Sequence, residues 1–88
     1  MDLQNNSQEY AYIDFSVAPA EGATVDASVD LVNWTTVTFQ NDEGLVLLTG
    51  PNCSASEGIL VQNSGPLWIR VTNSPEIVIR SAGNVNLY

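Results

Sequence analysis

Apolar and polar residues alternate along much of this chain with a period of two, the spacing of a half-buried β-strand, and no stretch carries the spacing of an amphipathic helix. The first run, residues 10–17, sets Ile13, Phe15 and Val17 on one side and Tyr12, Asp14 and Ser16 on the other, and Pro19 and Gly22 close it. Val25, Ala27, Val29 and Leu31 alternate with Asp26, Ser28 and Asp30, which fits a strand and equally a short helical turn crossing between sheets. Residues 34–40 (WTTVTFQ) are dense in β-branched and aromatic side chains, and Asn41-Asp42-Glu43-Gly44 supplies the turn of a hairpin into a strand over residues 45–49. The continuous Leu45-Val46-Leu47-Leu48 run predicts a strand covered on both faces. Gly50-Pro51-Asn52 ends it, residues 59–62 begin the next strand, and Asn63-Ser64-Gly65-Pro66 turns the chain again.

The clearest hairpin lies at residues 67–81, where LWIRVT and EIVIR flank Asn73-Ser74-Pro75. A three-residue loop places Thr72 opposite Glu76, Val71 opposite Ile77, Arg70 opposite Val78, Ile69 opposite Ile79 and Trp68 opposite Arg80. One face then reads Leu67, Ile69, Val71, Ile77 and Ile79, wholly apolar. The other carries Trp68, Arg70, Thr72, Glu76, Val78 and Arg80, with Trp68 in cation–π reach of Arg80. A two-residue loop would put an arginine on each face and scatter the apolar set. Val85 and Leu87 alternate with Asn84 and Asn86 in a final strand. The expected fold is all-β: a small antiparallel β-sandwich or barrel of Ig-like or Greek-key type with about seven strands. A polar arm at residues 1–9, held by a partner or a sister subunit, precedes a single domain at residues 10–88.

Composition narrows the function. Ten acidic residues against two arginines give a net charge of −8, and Arg70 and Arg80 cannot supply the basic patch that phosphate neutralisation needs. Nucleic acid and anionic membrane surfaces are therefore not expected partners. The N-terminal residues lack the basic and apolar regions of a secretory signal, and no apolar run approaches the ~20 residues of a membrane helix. Apolar residues make up 44 % of the chain, too many for a disordered acidic tail, so the chain folds. At 88 residues it buries only about 60–65 % of its unfolded surface, and Cys53 has no disulfide partner, which makes oligomerisation or docking a natural source of added stability.

Candidate chemistry is sparse. With no histidine and one cysteine, the commonest general base and zinc ligands are missing, so no enzyme activity, cofactor or metal is expected. Asp26 and Asp30, four apart, and the adjacent Asp42 and Glu43 match no calcium-loop spacing and read as solvated turn carboxylates. Cys53 reads as a free thiol of a reducing cytoplasm. Asn5-Asn6-Ser7, Asn33-Trp34-Thr35 and Asn52-Cys53-Ser54 fit the glycosylation tripeptide at the frequency such a composition produces by chance. Trp34 is expected in the core. Trp34, Trp68, Tyr10 and Tyr12 would alternatively form an aromatic platform for a sugar or a partner protein. Trp68, Arg70, Glu76 and Arg80 are the expected interaction face, with Leu3, Tyr10 and Tyr12 as arm contacts. The two arginines are also available for internal neutralisation of carboxylates.

The stretch Gly65-Pro66-Leu67-Trp68-Ile69-Arg70-Val71-Thr72-Asn73-Ser74-Pro75-Glu76-Ile77, followed by Ser81-Ala82-Gly83, resembles small β-sandwich proteins encoded among the virion structural genes of tailed bacteriophages of actinobacteria. In those proteins a segment like W-V-R-V-T-D-N-P-E precedes a last strand after Ala-Gly; Ser74 and Ile77 depart from the commoner spellings. The resemblance covers roughly the last 25 residues well and the region of residues 12–39 in pattern. It implies a virion component made in the host cytoplasm: a capsid decoration or minor capsid protein on the outer face of the head, bound to the major capsid protein or another virion protein and homo-oligomeric, with a trimer as one form. A head-to-tail connector, a tail accessory protein and a glycan or cell-surface binding module are the alternatives.

Overall fold

The computed structural model of the chain describes residues 1–15, 22–40, 43–55 and 57–88. Among them run nine strands and no helix: β1 (Asp2–Leu3), β2 (Gln8–Asp14), β3 (Thr24–Ser28), β4 (Thr35–Thr36), β5 (Thr38–Gln40), β6 (Glu43–Thr49), β7 (Ile59–Leu60), β8 (Gly65–Asn73) and β9 (Glu76–Leu87). One sheet has the order β1-β9-β8-β3-β4; the second has the order β2-β6-β5, with β7 beside β6. The ladders are antiparallel except β1 with β9 and β6 with β7. This is the expected all-β class, with inward side chains such as Ile13, Val25, Val46, Leu48, Ile69 and Val85 forming one core. Ser16, Val17, Pro19 and the turn residues Asn41 and Asp42 lie outside the described residues.

Three departures from the predicted elements have identifiable causes. The run at residues 34–40 divides at Val37, because β4 pairs with β3 and β5 pairs with β6. There the chain passes from one sheet to the other, burying the Val37 side chain and donating its N–H to the Val25 carbonyl at 2.9 Å. Glu43 and Gly44 belong to β6, not to the predicted turn. Gly44 leaves the space that Phe15 and Val37 fill, since a Cβ there would stand 2.9 Å from Phe15 Cε2 and from Val37 Cγ1. The two predicted C-terminal strands are one strand, β9. Ala82 and Gly83 together face Leu67, and this bulge reverses which residues of β9 look inward, from Val78 before it to Val85 after it.

The polar arm is a part of the fold. Leu3 is fully buried in the core. Around it, the Asn86 N–H donates to the Met1 carbonyl at 2.7 Å and the Tyr88 N–H to the Leu3 carbonyl at 3.0 Å, so β1 is laid against the C-terminal strand. Farther on, the Gly50 N–H donates to Ser7 at 2.9 Å and the Asn52 N–H to Asn5 at 3.0 Å. Gly50 is required at this crossing, where a Cβ would overlap the Asn5 carbonyl oxygen.

The β8–β9 hairpin has the two-residue loop Ser74-Pro75. Its register is therefore shifted by one from the predicted pairing: Thr72 faces Ile77, Val71 faces Val78, Arg70 faces Ile79, Ile69 faces Arg80 and Trp68 faces Ser81. Ile77 and Ile79 consequently stand on the outer face, 62 % and 47 % exposed, and Arg80 takes an inward position. The fold accepts this because the cleft between the sheets is open along the β2 and β9 margins. Arg80 sits at its rim with Ile13, Phe15, Ile69, Val71 and Val78 below, and remains exposed to water.

Candidate functional site

The outer face of the five-stranded sheet is built on the β3–β8 ladder, which sets Asp26 directly across from Arg70 and Ser28 across from Trp68. Arg70 Nη2 donates to Asp26 Oδ2 at 3.1 Å, and the Thr36 hydroxyl donates to Asp26 Oδ1 at 3.4 Å. The guanidinium carbon lies 4.4 Å from the centre of the Trp34 ring, in cation–π range. Trp34 is thus half-buried on the outside of the sheet instead of in the core cluster, and it caps Arg70 in place of the expected Trp68–Arg80 contact.

The loop that delivers Trp34 is organised by two side chains. The buried Ser28 Oγ accepts the N–H groups of Asp30 and Leu31 at 3.1 and 2.9 Å and donates to Asp30 Oδ1 at 2.9 Å. Asp30 Oδ1 also accepts the N–H groups of Val32 and Asn33, both at 2.8 Å, and Oδ2 accepts from Asn33 Nδ2 at 2.9 Å. The Asn33 and Val32 amides, then the Asn33 and Ser28 side chains, hold the Asp30 carboxyl well below the usual carboxylate range. Asp26 and Asp30 therefore have separate structural partners, an ion pair and a turn. Among the described residues no three His, Cys, Asp or Glu side chains gather as a metal site would require.

The four residues expected on one interaction face are divided. Trp68 and Arg70 share the outer face, Arg80 is across from Ile69 on the inward side, and Glu76 sits at the hairpin end opposite Asn73. Arg70 forms the single ion pair among the described residues, so its charge serves the fold and Arg80 is the arginine without a carboxylate partner there. Of the arm contacts, Leu3 is core. Tyr10 and Tyr12 stand on the outer face of the other sheet, 54 % and 69 % exposed, beside their ladder partners Leu47 and Leu45. The two tyrosines are thus on a different sheet from Trp34 and Trp68, and the four aromatics make no common platform.

Sequence reasoning missed the leucines of this patch and the exposed isoleucines of β9. The former were visible as the second parity of the Leu45-Val46-Leu47-Leu48 run, whose Val46 and Leu48 face inward. Cys53 is a half-buried free thiol in the turn after β6, its N–H donating to the Gly50 carbonyl at 3.1 Å. Set against known proteins, the chain matches no family model, no curated protein and no solved structure.

Proposed function

We propose that the chain is a non-enzymatic virion structural protein of a tailed phage, a decoration or minor capsid protein that binds the outer face of the head and bridges its subunits. A binding role rests on one observation, the Tyr10, Tyr12, Leu45 and Leu47 patch on the outside of the four-stranded sheet. Exposed aromatic side chains backed by leucines are the composition of an interface centre, and the fold requires only that these positions face outward, not that they be aromatic or apolar. The likeness of the β8–β9 hairpin sequence to phage structural proteins is what directs that role to a virion.

Co-sedimentation of the purified chain with empty heads of the encoding phage is expected to saturate at a fixed copy number. The Tyr10→Ala/Tyr12→Ala double variant is expected to bind at least about tenfold more weakly with an unchanged melting temperature. Heads that take up no chain overturn the decoration reading and move the test to connector and tail pieces. Undiminished binding by the double variant removes the tyrosine face.

A further inference from the structure

One margin of the five-stranded sheet is a side of β9, opposite the β4 margin. β8 pairs with the other side, and β1 covers the free side only at Asn86 and Leu87. Along residues 76–82 no strand among the described residues meets this margin. The N–H groups of Asn86 and Tyr88 and the Asn84 carbonyl turn toward β1. Counting back through the bulge at residues 82–83, the backbone groups of Ile77, Ile79 and Ser81 turn to the same, open side. A long edge flanked by two exposed isoleucines is a template for another strand, and natural proteins pair, cover or blunt such edges.

The segment on that edge is Glu76-Ile77-Val78-Ile79-Arg80, which reads the same in both directions except that an acid begins it and a base ends it. We propose that a second copy of this chain pairs antiparallel along β9 about a two-fold axis through Val78, joining the two five-stranded sheets. In that register Val78 meets Val78, Ile77 meets Ile79 twice, and Glu76 meets Arg80 twice, each pair on one face of the sheet. The hydrogen-bonding groups of Ile77 and Ile79 meet each other, as the ladder requires. Centring the axis on Ile77 or Ile79 leaves both charges without a partner, and a parallel pairing sets like charges against each other. Arg80, which has no carboxylate partner within the described chain, acquires one. The pairing stands whether or not the chain is a virion protein.

Light scattering and sedimentation equilibrium on the full chain, in about 0.15 M salt to screen the net charge of each copy, are expected to show a monomer–dimer equilibrium. Glu76→Arg and Arg80→Glu singly create like-charge pairs at both ends, and each is expected to weaken dimerisation by about tenfold or more. The double swap Glu76→Arg/Arg80→Glu restores the palindrome in reverse and is expected to restore the dimer. Ile79→Pro removes a donor from the open side and is expected to give a monomer whose circular dichroism matches the parent. A chain that stays monomeric at all soluble concentrations, that forms only trimers, or whose dimer ignores the single charge reversals overturns the proposal, as does a double swap that fails to recover.

Discussion

Asp30 shows how one side chain organises a surface. Its carboxylate collects two backbone amides, a side-chain amide and a hydroxyl, and the loop so tied carries Trp34 onto Arg70. Since these donors favour the charged form, the folded-state pKa lies below that of the unfolded chain. The stabilisation is then complete above the ordinary carboxylate value of about 4 and is lost as the pH falls below it. Asp30→Ala is expected to lower the melting temperature at neutral pH and to flatten its decline between about pH 4 and pH 2, as followed by thermal denaturation across that range. A variant with the parental acid profile would show that the turn contributes nothing to stability.

The two-residue strand β1 is held by one side chain and its ladder to β9. Leu3 is 0 % exposed, so Leu3→Ala opens a cavity and is expected to cost about 2–5 kcal/mol in chemical denaturation. A loss well under 1 kcal/mol would mean that the N-terminal segment does not dock in solution. This element was illegible in the sequence because seven of the chain's first nine residues are polar and one leucine has no periodicity. The hairpin register failed for a related reason. Alternation counts apolar residues on a face but does not say whether that face is covered, and the loop length decides which face is which. Ile77 and Ile79 stand outside because the two-residue loop pairs them with Thr72 and Arg70, a property of the register and not of the run itself.

For the whole molecule, ten carboxylates and two arginines share a body of 38 × 26 × 20 Å. At ~0.01 M salt the screening length of ~30 Å spans most of it, whereas at ~0.15 M it falls to ~8 Å. Screening also weakens the Asp26–Arg70 pair, but one ion pair is outweighed by the mutual repulsion of the remaining carboxylates. The melting temperature is expected to rise with salt over this interval, by about 4–8 °C if about 1 kcal/mol of repulsion is relieved. A fall would show that the ion pair dominates. The same repulsion opposes self-association at low salt, so the β9 dimer and the fold are expected to strengthen together.

Period-two alternation, β-branched runs and turn residues were enough to determine an all-β chain with two-sided strands, because those signals are local and each strand carries its own. The absence of histidine and the acidic balance likewise bounded the chemistry without any coordinates. What only the tertiary structure decided was everything that depends on neighbours: the passage of residues 34–40 between sheets at Val37, the burial of Leu3, the pairing of Arg70 with Asp26 and Trp34, and the exposure of β9. A side chain's parity is written in its own segment. Whether that parity means core, ion pair or open margin depends on which strand the fold lays beside it.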